Sequence, residues 1–379
     1  MKEQQTVVRL SKSCVGEEES RALTKVIEAG YLGMGRDVQA LEEEIRTYLQ
    51  TEREVMCVNT GTAALHLALS CMDIGPGDEV LVPSLTYVAS FQAISATGAK
   101  PIACDVTEDR GFLDISDAKK RLTPRTKAIM PVHYASNSVG LRGVYEFAVQ
   151  HGLRVVEDAA HAFGGEFDSQ LVGARGDVVC FSFDGIKNIT SGEGGAVVTN
   201  DAKLAQRIRD ARLLGVEKDT EKRYQGGRSW EFEVSHQGYR YHMSNLMAAI
   251  GREQLKKLPT FATHRRQCVA TYIKAFSSIE GIKLLDFDHR HIVPHIFCVR
   301  IVNGKRNDLL AYLRAQNIEC GFHYNPNHKL EFFRSNYSLP ITEKLVQELI
   351  SLPLHSELSS EDQTRVILAV QSFMGSSHA

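Results

Sequence analysis

The stretch Ala63-Ala64-Leu65-His66-Leu67-Ala68-Leu69-Ser70-Cys71-Met72, followed by Gly75-Pro76-Gly77-Asp78 and Glu79-Val80-Leu81-Val82, decides the fold. Leu65, Leu69 and Met72 recur at helical spacing, so the first part reads as a helix. Gly75 to Asp78 is turn chemistry, and the short apolar run after it reads as a buried strand. The cycle extends both ways. Upstream, residues 19–29 and 38–48 read as amphipathic helices, with Leu23, Val26 and Ile27, then Leu41, Ile45 and Leu49, on one face. Downstream, strands are predicted over 99–106, 128–132, 154–157 and 178–183, and a helix over 144–151. Strands separated by helical crossovers pair in parallel and carry helices on both faces. The expected fold is therefore α/β, a three-layer αβα arrangement around a mostly parallel sheet.

From about Met243 the texture changes to a long helix running to about Lys257, shorter strands near 297–302 and further helices. The expected division is a large α/β domain over 1–250 and a smaller C-terminal α+β domain over 251–379. No internal repeat is visible, and only Gly375-Ser376-Ser377-His378-Ala379 reads as a disordered tail.

Composition narrows the function classes. The 379 residues are 43% hydrophobic and 24% charged, which is globular composition. Lysine plus arginine total 44 against 46 for aspartate plus glutamate, a net charge of −2. That balance offers no electrostatic basis for binding nucleic acid or a membrane surface. Apolar runs such as Val80-Leu81-Val82-Pro83 fall far short of the ~20 residues of a membrane span. Met1-Lys2-Glu3-Gln4-Gln5 lacks the layout of a signal peptide, so a cytoplasmic protein is expected. The eight cysteines form no C-x-x-C pair and read as buried hydrophobes in a reducing compartment. His289-Arg290-His291, and His323 with His328, lack the company of a zinc site, so no metal is expected.

Three strand ends carry chemistry, because ligands of α/β sheets bind beyond the carboxyl ends of strands. Asn59-Thr60-Gly61-Thr62-Ala63-Ala64 leaves a strand and opens a helix, a place where backbone N–H groups accept an anion and where a threonine also serves as a plain cap. Asp158 ends the run Arg154-Val155-Val156-Glu157, where a carboxylate either caps the next helix or meets a ligand. Lys187, in Ser182-Phe183-Asp184-Gly185-Ile186-Lys187-Asn188, follows a hydrophobic strand in a glycine-rich loop. A partly buried lysine loses its charge readily, which frees its amine to form a Schiff base with a carbonyl. An aspartate opposite it would pair with a protonated pyridine nitrogen and keep the ring an electron sink. With the phosphate-type turn, the set points to pyridoxal phosphate.

The chain resembles the DegT/DnrJ/EryC1/StrS family of sugar aminotransferases, enzymes of pyridoxal phosphate fold type I. The resemblance runs from Gly30-Tyr31-Leu32-Gly33-Met34-Gly35 to Leu352-Pro353-Leu354-His355. It is strongest at Thr60 to His66, at Glu157-Asp158-Ala159-Ala160-His161, and from Phe181 through Lys187-Asn188 into Gly192-Glu193-Gly194-Gly195. It implies Lys187 as Schiff-base lysine and proton shuttle, Asp158 on the pyridinium and His161 near the ring. It also implies Tyr87 stacked on the cofactor, Gly61, Thr62 and Ala63 at the phosphate, and Ser182 adding its hydroxyl. Arg240, in Gly238-Tyr239-Arg240-Tyr241-His242, stands where the family usually has an asparagine that reaches the neighbouring subunit's phosphate. Asp184 replaces an aromatic or histidine, and His133-Tyr134-Ala135-Ser136-Asn137 lacks the family's usual glycine-containing turn.

The implied activity is transfer of an amino group from glutamate to a nucleotide-linked 3- or 4-keto-6-deoxyhexose, in a homodimer with shared active sites. The amino-deoxy sugar would feed surface polysaccharide, such as the O-antigen of lipopolysaccharide, or natural-product glycosylation. The alternatives are a sugar dehydratase of the same family, in which the lysine is commonly histidine, and a non-catalytic binding protein on the same fold. A nicotinamide enzyme is disfavoured because no G-x-G-x-x-G follows an early strand.

Overall fold

A computed structural model describes residues 6–286 and 288–375. The N-terminal pentapeptide and residues 376–379, read above as lacking a signal and as a tail, lie outside the described residues. Gly375 itself is helical, closing Ser360–Gly375, because Met374 is buried against the C-terminal core.

The central sheet is built from β1 (Glu54–Val58), β2 (Glu79–Pro83), β3 (Lys100–Cys104), β4 (Thr126–Ile129), β5 (Arg154–Asp158), β6 (Val178–Ser182) and β7 (Gly195–Thr199). Their order across the seven-stranded sheet is β1-β7-β6-β5-β4-β2-β3. Neighbours from β6 to β3 are parallel, as the helical crossovers require. The β7 strand differs: it runs antiparallel to both β6 and β1. The reason is its connection. Residues 183–194 link β6 to β7 without a crossover helix, and a short link can only turn back. That loop carries Lys187.

Helix α1 (Gly61–Cys71) is buried on nearly every side, between the sheet and its neighbouring helices, which explains its almost unbroken apolar composition. Two buried clusters lie on opposite faces of the sheet, one including Val80, Val82 and Val156, the other Val55, Val179 and Val198. The β-branched alternation of each strand thus fills both layers.

The helix expected to end near Lys257 instead spans Asn245–Phe276, passing through Pro259 and through position 250. Proline inside a helix costs about 3 kcal/mol. Burial of Leu255, Leu258, Ala262, Val269, Tyr272 and Phe276 along the same helix offsets that cost. Beyond it, β8 (Ile282–Leu284), β9 (Phe297–Ile301) and β10 (Leu349–Leu352) form an antiparallel sheet with its own core. Among the described residues no helix is long and apolar enough to cross a membrane. All eight cysteines are buried and free.

Candidate active site

Beyond the carboxyl ends of β5 and β6 lies a cavity of about 510 Å³. Thr60, Gly61 and Thr62 form one wall, Asp158 and Lys187 another, and residues of the C-terminal third, His295, His323 and Tyr324, close it. Each wall follows from local chain chemistry.

Thr60 caps α1, its Oγ1 accepting the Ala63 N–H at 3.0 Å. Ala63 gives its N–H to the cap and is not among the lining residues, whereas Thr60, Gly61 and Thr62 are. The amino end of the helix favours an anion there. Gly61 packs directly on the end of β6: a Cβ at this position would fall 2.7 Å from Cβ of Ser182. Only glycine permits that approach, and it brings the Ser182 hydroxyl beside the turn.

Asp158 is buried at the end of β5. Its Oδ2 accepts from Ser90 Oγ at 2.6 Å and its Oδ1 from the Ala160 N–H at 3.2 Å. These bonds hold the carboxylate in one orientation. Tyr87 immediately precedes the helix Val88–Ala96, is 58% exposed, and has its ring 5.5 Å from that of Tyr324.

The Lys187 amine lies 3.5 Å from Nε2 of His295. Burial pushes this amine below the usual lysine range, against the opposing pull of Asp184 and Asp158. His161 accepts or donates at Nε2 to the Tyr324 hydroxyl at 2.9 Å and packs its ring 4.4 Å from His295. Burial, reinforced by Lys187, holds both histidines well below the ordinary range, and takes His323 down to about 4. The Tyr324 hydroxyl is pushed up by burial and by Asp158. At neutral pH the three imidazoles are uncharged.

Of the residues named from sequence, the cavity gathers Gly61, Thr62, Tyr87, Asp158, His161, Ser182, Lys187 and also Asp184. Ala63 and Arg240 are not among its lining residues. Arg240 is exposed, its backbone bridging Leu213 and its carbonyl accepting from Asn59 Nδ2 at 3.4 Å. His295, His323 and Tyr324 were not foreseen as site residues. His323 stood out only as half of a histidine pair, and nothing in one sequence ties position 295 or 324 to Lys187. The turn at residues 133–137 is buried and internal. His133 Nε2 meets Glu157 Oε2 at 2.8 Å, and the Tyr134 hydroxyl donates to the His323 carbonyl at 2.5 Å.

These groups fit pyridoxal phosphate. The volume suits a ligand of that size, a helix terminus offers a place for an anion, a fixed carboxylate is available to a ring nitrogen, and burial weakens the lysine's hold on its proton. His161 Nδ1 is also a buried polar atom with no protein partner among the described residues, as suits a site that a ligand completes.

Comparison with known proteins agrees. The family model for the DegT/DnrJ/EryC1/StrS aminotransferase family matches residues 13–371. The aminotransferase TlmJ from Streptoalloteichus hindustanus is 30% identical, with 98% of this chain and 100% of that one covered at a TM-score of 0.91. DesV of S. venezuelae, solved in complex with a ketimine intermediate, is 34% identical over 94% of each chain, with a TM-score of 0.86. Helicobacter pylori PseC, an aminotransferase involved in the biosynthesis of pseudoaminic acid, is 26% identical at a TM-score of 0.90, covering 98% of this chain and 100% of that one. The chain belongs to the DegT/DnrJ/EryC1/StrS aminotransferase family of pyridoxal-phosphate enzymes.

Proposed function

We propose that this aminotransferase moves an amino group from glutamate to a nucleotide-linked 3- or 4-keto-6-deoxyhexose, making an amino-deoxy sugar for surface polysaccharide or natural-product glycosylation. The observation that carries the reading is the convergence of Lys187, Asp158 and the Gly61–Thr62 turn on one cavity. Bound there, pyridoxal phosphate supplies a carbonyl and an electron sink. The chain supplies the rest. Gly61, Thr62 and Ser182 would hold the phosphate, Asp158 the ring nitrogen, and Tyr87 and His161 the ring faces. Lys187 would carry the proton in both half-reactions, from donor to cofactor and from cofactor to sugar. The retained lysine also disfavours dehydration and a non-catalytic role.

The homodimer belongs to the same reading. Leu214, Trp230, Phe232 and Val234 expose apolar surface along the segment leading to Arg240, which supports burial of this face by a second copy. Arg240, outside its own cavity, would then reach the phosphate held by that copy. Buried free thiols and the absence of a spanning helix among the described residues support a cytoplasmic location.

Glutamate added to the holoenzyme should bleach its visible band, and a screen of nucleotide-linked ketosugars should restore it with one sugar. A band that glutamate leaves unchanged rejects the donor. Arg240→Ala should weaken cofactor binding by about tenfold or more, the size of one hydrogen bond to a charged group. Unchanged affinity rejects the phosphate contact.

A further inference from the structure

We propose that His295 is a working member of this active site, orienting the Lys187 amine, and that Ser136 sets where its imidazole sits. The inference rests on Lys187 being the cofactor-linked lysine.

His295 is 4% exposed and leads into β9, far from Lys187 in sequence, yet its Nε2 lies 3.5 Å from the amine nitrogen. In the tautomer that leaves Nε2 unprotonated, the neutral imidazole presents its lone pair to that amine. Accepting one N–H there stops rotation about the terminal bond of a side chain that is otherwise flexible. The nitrogen lone pair is then aimed in a fixed direction, and fixed aim is worth rate. The groups facing the amine are Asp158, Asp184, His161, His323 and His295, with Glu193 and Tyr324 also lining the cavity. Arg265 stands behind His295, donating to its carbonyl at 3.2 Å. Burial keeps the three imidazoles neutral, so none repels the amine at neutral pH.

Ser136 is the hub behind this arrangement. Ala135 and Ser136 both adopt left-handed backbone, with φ of 52° and 71°. For residues other than glycine that conformation costs roughly 1–2 kcal/mol each. The Ser136 hydroxyl accepts the His295 N–H at 3.0 Å, lies 2.8 Å from the Val293 carbonyl, and meets the His161 carbonyl. Asn188, beside Lys187, donates its Nδ2 to the same Val293 carbonyl at 3.0 Å and to Phe163 at 3.0 Å. The lysine loop and the histidine segment are thus stapled to shared carbonyls. Strain retained at such a buried junction is what a positioning role produces.

The test follows recombination of the full-length apoprotein with pyridoxal phosphate, read as growth of the visible band from neutral to alkaline pH. In the wild type the rate rises with an apparent pKa below that of free lysine. In His295→Phe the ammonium loses its acceptor, so that pKa falls by about one unit further. The plateau rate drops on the order of tenfold to a hundredfold as the amine loses its aim. His295→Gln keeps an acceptor oxygen and restores the pKa and most of the rate. Ser136→Gly suits the left-handed backbone but removes the hydroxyl from its three buried partners, so its melting temperature falls while the fold survives, and its plateau rate falls toward that of His295→Phe.

Borohydride trapping with peptide mapping separates the two levels. A label away from Lys187 overturns the reading of the site and this inference together. A label on Lys187, with His295→Phe matching the wild-type profile, overturns the role of His295 alone. Should that variant fail to fold, Ser136→Gly decides, and an unaltered plateau rate rejects the proposal.

Discussion

With Lys187 replaced by alanine, the protein loses its visible absorbance, and amino transfer slows by on the order of 10⁴–10⁶, the range for losing a covalent catalytic group. Two tasks disappear at once. The amine that would tether the cofactor is gone, and so is the group placed to move a proton between donor, cofactor and sugar. The fold should survive, because the side chain makes no ion pair and contacts His295 through a single hydrogen bond among the described residues. Thermal melts alongside absorbance spectra check this. A variant that melts like the wild type yet keeps its colour and a tenth of its turnover would sink the assignment.

Asp158→Asn is the second large effect, expected to slow the glutamate half-reaction on the order of 10²–10³-fold. Asparagine has the same shape, and its oxygen still accepts from Ser90 Oγ or the Ala160 N–H, the two bonds that hold the carboxylate. What it lacks is negative charge opposite the ring nitrogen. Without that charge the nitrogen gives up its proton, and the ring draws electrons less strongly. Single-turnover decay of the visible band with glutamate measures the loss. An unchanged decay constant places the pyridine nitrogen elsewhere.

Much of this site was legible because its signals are local. Thr60-Gly61-Thr62, Asp158 and Lys187 each stand at the end of an apolar run, and the rule that ligands bind past strand ends needs only the strand and its next few residues. The same holds for α1 and β2, read from periodicity and a Gly-Pro-Gly-Asp turn. Antiparallel β7 was not legible, since its direction depends on how residues 183–194 turn back. The continuation of Asn245–Phe276 through Pro259 was hidden too, because a local cost of proline is outweighed by distant packing partners. Ala63, expected at the phosphate, gives its N–H to the Thr60 cap and lies outside the cavity lining, a contact that the run of residue types does not announce.

The sequence by itself determined the alternation of elements and the order of the strand-end residues that meet at the cavity, since each depends on neighbours within a few residues along the chain. Only the tertiary structure decided that His295, His323 and Tyr324 close the cavity around Lys187, and that Ser136 holds two of its histidines. These contacts, most of them across more than a hundred positions, are set by the packing of the sheets and their helices together, a sum over the whole core that no single stretch contains.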